Sequence, residues 1–292
     1  MPARKSTNKP TRLSHVTSFK KYDFIDLGCG DGASLVNFEK KIGGRGLGIE
    51  LNRRKVKKAQ ELGRNVVHGN ALSLSKIPGK VDFVTCDNFL EHLLSHDEVE
   101  KMLEQAVKVA RKFVYIRHPS FEDIDYLATL KLKTYWSDWR GHTAMLRVSD
   151  LVDMLFRQGI HALKVVPVGR IHDSGDGRVI PLDAPADQHD YVPGHGPKPD
   201  PAVAFDRQVY FAFDIVGVIP GAEDHAPELI YPDRLADSRR PRFEFKSEEI
   251  RKLQLELDAV RNRRSVRLAD WPAKQASRAR RFIDRARSKK SS

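Results

Sequence analysis

The sequence predicts an α/β fold: a doubly wound, seven-stranded, mostly parallel sheet, followed by a C-terminal helix and a basic tail. Three observations predict it. Short apolar runs alternate with amphipathic helical stretches from residue 22 to residue 116. The first apolar run ends in the glycine-rich turn Gly28-Cys29-Gly30-Asp31-Gly32. Two further apolar runs close the pattern, at 163–168 and 209–218. Strand–helix alternation of this kind makes parallel strands joined by right-handed crossovers, with ligands bound at the strands' carboxyl ends.

The elements follow in order. Residues 22–27 read as a buried strand running into the glycine turn, and 33–41 as a helix with Leu35, Val36 and Phe38 inward. Strand 46–50, helix 53–62, strand 65–68 and strand 81–86 come next. In helix 97–111, Val99, Met102, Leu103, Ala106, Val107 and Ala110 recur at helical spacing. Strand 113–116 follows, then helix 149–158 with Ser149 as N-cap and Gly159 as its stop. Residues 169–207 hold no strong pattern and read as a long loop; with an antiparallel last strand it must lie over the ligand-binding edge, as part of a lid.

These elements organise the chain into a basic N-terminal arm (1–20), a domain (21–220), a Pro-, Asp- and Arg-rich linker (221–246), and a short helix with a basic amphipathic tail (247–292). The net charge of +12 sits at the ends. Residues 1–21 carry six Lys/Arg and no acid, and 261–292 carry twelve against two acids, leaving 33 basic and 37 acidic residues between them. A domain gripping a phosphate backbone is expected to be basic on its own face, so nucleic acid is the less favoured partner. The first residues lack an apolar signal core, no apolar run spans a bilayer, and Cys29 and Cys86 form no disulfide framework. A cytoplasmic chain is expected.

The glycines allow close approach of a ligand to the backbone, and the next helix offers free N–H groups. Gly28-x-Gly30-x-x-Ala33 also fits a dinucleotide fingerprint. Glu50, 18 residues after Gly32, suits ribose hydroxyls of either ligand. Asp26 favours a cationic ligand over a pyrophosphate. His68-Gly69-Asn70-Ala71 and Asp87-Asn88-Phe89-Leu90-Glu91-His92-Leu93 follow the third and fourth strands.

With DLGCGDG, GIEL, GNALSL and VDFVTCDNFLEHL in this order, residues 20–220 resemble the class I S-adenosylmethionine (SAM)-dependent methyltransferases. The LEHL element is similar to that of the small-molecule and glycan-modifying branch. The resemblance implies a Rossmann-like methyltransferase fold and SAM as cofactor. It places Asp26, Gly28, Cys29 and Gly30 at the methionine end, Glu50 and Leu51 at the ribose, Asn70 and Ala71 at the adenine, and Asp87 and Asn88 near the sulfonium. The family carries Asp where this chain has Asn70, whose amide oxygen still accepts from an adenine amine.

For transfer to a hydroxyl, the candidate catalytic residues are Asp87, His118, directly after the fifth strand and facing the acceptor, and His142. His92 is expected to point at the sheet, and Trp136 and Trp139 to pack. His172, Asp173, Asp187, His189, Asp190 and His195 match no compact ligand motif, so no metal site is expected. The stretch from Arg261 to Pro272 resembles tails of bacterial cell-surface polysaccharide enzymes, which implies a saccharide acceptor and peripheral attachment of 261–292 to anionic membrane. The expected activity is therefore O-methylation of a small-molecule or cell-surface saccharide. The alternatives are an RNA methyltransferase, a non-catalytic SAM-binding scaffold and, more distantly, a dehydrogenase.

Overall fold

In the computed structural model, residues 11–187 and 197–222 are described, together with the main chain of 243–245. The strands are β1 (Phe24–Leu27), β2 (Gly46–Glu50), β3 (Val66–His68), β4 (Val81–Asp87), β5 (Ala110–Pro119), β6 (Leu132–Thr134), β7 (Ala162–Asp173), β8 (Val179–Pro181), β9 (Ala204–Val218) and β10 (Phe243–Phe245). The helices are α1 (Ala33–Lys41), α2 (Arg53–Glu61), α3 (His96–Val109), α4 (Ile124–Thr129) and α5 (Val148–Arg157).

The main sheet has the order β10-β7-β9-β5-β4-β1-β2-β3. Its seven expected strands are present, mostly parallel, with β9 antiparallel to β5. The eighth, β10, pairs antiparallel with β7 inside the stretch the sequence reads as linker. From β1 the chain winds outward through β2 and β3, then returns to place β4 on the other side of β1. That reversal makes the carboxyl ends of β1 and β4 the switch point where such sheets bind ligands.

Both faces are covered. One layer packs α1 and α2, through Leu35, Phe38, Val56 and Ala59, onto a row of rings from three adjacent strands. In that row Phe24 stacks on Phe83 at 4.7 Å and Phe83 on Phe113 at 4.8 Å, following the strand register. Ring pairs at this spacing add to simple burial. The other layer packs α3 and α5 onto the sheet through Met102, Leu103, Leu151 and Leu155.

Two local readings are corrected. Arg147, not Ser149, is the N-cap of α5, and Asp150 closes the turn by accepting from the Arg147 N–H at 2.8 Å. The second half of the arm joins the domain: Leu13, Val16 and Phe19 are buried in the core, and the His68 N–H donates to Thr11 O. Residues 169–207 are not one loop. β7 runs on to Asp173 and β9 starts at Ala204, so their ladder continues beyond the core of the sheet, with Ile171 opposite Val209. Between them β8 pairs with β6, a strand the sequence pattern does not reveal. Phe121, Leu127, Leu132, Trp136, Ile171, Val179 and Val209 form a separate core for this added layer. Its apolar contacts, absent from a lid made of loop alone, hold it beside the carboxyl end of β5.

Residues 1–10, His189, Asp190, His195, the 247–260 helix and the 261–292 tail lie outside the described residues. Among the described residues no helix is long and apolar enough to cross a membrane.

Candidate functional site

The glycine turn and Glu50 lie side by side. Glu50 ends β2 with its carboxylate turned back along the sheet edge. Its Oε2 accepts from the Gly30 N–H at 3.0 Å and its Oε1 from the Asn52 N–H at 2.6 Å. These bonds fix the carboxylate while leaving lone pairs for hydroxyl donors. Gly28 has φ +64°, and a Cβ there would lie 2.1 Å from the Phe89 ring, so only glycine fits beneath that side chain. The turn after β1 and the segment after β4 therefore close on each other at the switch point. Leu51, beside Glu50, is an exposed apolar side chain at this edge.

Several expected cofactor contacts are altered by burial. Asp26 is fully buried; Ser34 Oγ donates to its Oδ2 at 2.5 Å and Thr85 Oγ1 to its Oδ1 at 2.7 Å. It ties β1 to α1 and β4 beneath the turn and has no exposed surface of its own. Burial pushes its carboxyl up to about 7, against the lowering effect of the two hydroxyls; the nearby Asp87 adds a further upward push. Cys29 contributes backbone to the turn, for its thiol is buried against Gly48, and burial holds it far above the usual thiol range. Asn70 Oδ1 accepts from the Leu72 N–H at 2.9 Å, capping the turn that begins at Ala71. The amide oxygen expected to meet an adenine amine is thus already engaged, and Ala71 is buried.

Beyond β4, a cavity of about 250 Å³ opens between Asn88, Glu91, His92, Pro119, Tyr135, Trp136, Trp139, His142 and Phe211. It joins the segment after β4 to the added layer. Trp136 packs, as expected, and its Nε1 donates to Ser120 O at 2.7 Å. Trp139 lies along the cavity with its ring stacked on His142, centroids 5.8 Å apart. His142 Nδ1 meets Trp136 O at 2.8 Å, and burial lowers the imidazole's pKa, so the neutral ring is favoured.

His92 does not point at the sheet. Only a short turn, Leu90–His92, precedes α3, and it directs His92 outward to Gly141 O, 2.9 Å from Nδ1. Its ring lies 4.9 Å from that of His142. Glu91 is the inward residue of the pair, and it is buried.

The remaining catalytic candidates sit behind the cavity. His118 does not face an acceptor: it is buried, its Nδ1 3.5 Å from Glu91 Oε2, and both ring nitrogens lack hydrogen-bond partners. Asp87 is held above the usual carboxylate range by burial, an effect opposed by Arg117 and reinforced by Asp214 and Glu91. Arg117 and Asp214 are unanticipated members of the site. They face one another across β5 and β9 in a bidentate pair, Nε to Oδ1 at 2.7 Å and NH2 to Oδ2 at 2.8 Å. The available signal was a charged residue in the apolar 209–218 run. In the other region weighed for metal ligation, Asp173 is turned to the Gly175 N–H and Asp187 pairs with Arg140.

Residues 24–112 match a protein-family model described as "Methyltransferase domain". No curated protein matches the chain. Among solved structures, a SAM-dependent methyltransferase from Archaeoglobus fulgidus is similar at 18% identity and a TM-score of 0.48, covering 67% of this chain and 85% of that one. One from Thermotoga maritima gives 17% identity and 0.44, covering 68% and 82%. The magnesium protoporphyrin IX methyltransferase of Synechocystis, with bound S-adenosylhomocysteine, gives 14% and 0.42, covering 70% and 76%. The matched stretch, residues 24–112, is the part of the chain that carries the glycine turn, Glu50, Asp87 and Glu91, and its likeness is to a methyltransferase domain.

Proposed function

We propose that this chain is an O-methyltransferase whose acceptor, a small molecule or a saccharide, sits in the aromatic cavity beyond β4. The observation that carries the reading is the Glu50 carboxylate locked on the Gly30 N–H at the switch point, one strand away from that cavity.

The residues fit the donor. Glu50 would hold the ribose hydroxyls, Leu51 would cover the adenine, and the turn at Gly28 and Gly30 would receive the methionine end. Asp26 and Asp87 add negative charge that favours a sulfonium and an ammonium group over a pyrophosphate. When bound, the donor supplies an electrophilic methyl carbon, to which the acceptor oxygen bonds as the carbon–sulfur bond breaks and its electron pair stays on sulfur.

The chain's own task is alignment and removal of the acceptor proton. Trp139 offers a flat face for a sugar or aromatic ring. The proton goes to His142, held neutral with Nδ1 on Trp136 O and Nε2 left to accept, or to Asp87 behind it.

Calorimetric titration with SAM tests the donor half. Glu50→Gln keeps the shape of the side chain but weakens its bonds to the ribose; the expected loss of about 1.5–3 kcal/mol is a 10- to 150-fold weaker Kd. Unchanged affinity in that variant refutes the assignment. Labelled SAM incubated with small-molecule and saccharide fractions tests the acceptor half, and label confined to RNA overturns it.

A further inference from the structure

We propose that Glu91, His92 and His142 form a binding site for a divalent transition-metal ion, of the zinc class, in the wall of the acceptor cavity. One potential ligand atom from each of the three lies within 4.8 Å of the other two. The ligands of one zinc ion, at about 2.0–2.1 Å from it, sit roughly 3.4 Å apart, so the set needs to close by about an ångström.

Two independent features point to a cation. Both histidines have Nδ1 directed at a main-chain carbonyl, Gly141 O for His92 and Trp136 O for His142. That contact fixes the tautomer with the proton on Nδ1 and leaves Nε2 with a free lone pair, the arrangement that surrounds metal-bound histidines. The second feature is Glu91. It is 1% exposed, and its Oε2 has no hydrogen-bond partner. A carboxylate oxygen buried without a donor carries a large desolvation penalty, which a bound cation removes. His118 Nδ1, 3.5 Å away, makes no hydrogen bond with it and is itself unpartnered.

Two imidazoles and one carboxylate on one side of an ion suit zinc or ferrous iron rather than magnesium, and they leave coordination positions open. Those positions face the space where the proposal above seats the acceptor, so the inference rests on that reading for its purpose though not for its chemistry. An ion there would take the acceptor oxygen as a further ligand and make its proton more acidic. His142 then serves as a ligand, and the acceptor proton passes to Asp87.

The test is zinc binding by the full, untagged chain after chelator dialysis, measured by competition with a chromophoric chelator. One equivalent of zinc is expected to bind tightly, with magnesium in excess failing to displace it. Glu91→Gln and His92→Ala are each expected to weaken zinc at least tenfold, and the pair to abolish stoichiometric binding. His92 is exposed, so its variant tests the ligand without touching the core. Cobalt substitution adds a readout independent of activity: a visible absorption band that changes in both variants. Equal zinc affinity in wild type and the double variant overturns the site, as does failure of the wild type to retain zinc. SAM calorimetry on the same proteins separates the two claims, because Glu50 and the glycine turn are untouched. Zinc bound without SAM leaves the metal site standing and removes the donor reading; SAM bound without zinc does the reverse.

Discussion

Replacing Asp26 with asparagine probes the charge at the centre of the site. In the folded chain burial raises the carboxyl to about 7, against 3.8 for the unperturbed group. A shift of roughly three units corresponds to about 4 kcal/mol. The sign follows from proton binding. Between pH 4 and pH 7 the folded state holds the proton and the unfolded state does not, so stability falls as pH rises through that window and the full penalty persists above it. The substituted amide carries no charge and keeps an oxygen for Ser34 or Thr85. About two of those three units lie above pH 5, so the stability of D26N minus that of wild type is expected to increase by up to about 2.6 kcal/mol between pH 5 and pH 8. Urea unfolding at the two pH values measures the difference, in which most other titrating groups cancel. A difference constant to within about 0.5 kcal/mol would refute the reasoning. The same proton links to the donor. A cationic ligand favours ionised Asp26, so wild-type affinity for SAM is expected to rise from pH 5.5 to pH 7.5, and D26N to lose that rise.

Two further substitutions test the frame around the site. Gly28→Ala places a side chain at φ +64° and under the Phe89 ring; a loss of about 2–4 kcal/mol is expected in urea unfolding, part of which Phe89→Ala in the same chain recovers. Arg117→Ala strands the fully buried Asp214 carboxylate; a loss of about 3–5 kcal/mol is expected, and a thermodynamic cycle with Asp214→Asn is expected to show strong coupling.

The half of the fold from β1 to β5 was readable because each element there obeys one period. Leu35 and Phe38 mark a helix face, and Phe24, Phe83 and Phe113 sit at matching positions of adjacent strands. The glycine turn declared itself through backbone needs, which residue type reports directly. The added layer did not. Its ladder is half exposed, with Ile171 and Val209 buried between polar neighbours, so the extended β7 and β9 looked like loop. The strand pair β6 and β8 is only three residues long on each side, and Trp136 and Phe121 reach their core from irregular positions. The cavity was hidden for a related reason. His92 and His142 meet across a separation that only the added layer closes, and nothing near either residue announces the other.

The carboxyl edge of this sheet gathers acids faster than it gathers bases. Asp26, Glu50, Asp87, Glu91 and Asp214 all lie on or just beyond the strands that meet there. Arg117 is already engaged in both its bonds to Asp214. Asp87 raises the environment of Asp26 against ionisation, and Glu91 and Asp214 add to the pressure on Asp87. A phosphate-bearing dinucleotide would deepen that imbalance. A sulfonium with its ammonium group would relieve it at the β1 end, and a divalent ion on Glu91 would relieve it at the β4 end. On the function proposed above, the first would supply the electrophilic methyl carbon and the second, held by Glu91, His92 and His142, would make the acceptor hydroxyl more acidic. On this view Asp26 and Asp87, whose ionisation burial opposes, are destabilising in the empty protein because they are arranged for what binds. SAM and zinc are accordingly expected to raise the melting temperature together by more than the sum of their separate shifts, since Asp87 lies between the two and each cation favours its ionised form. Strictly additive shifts in a two-ligand thermal titration would show that the two ends of the edge are electrostatically independent.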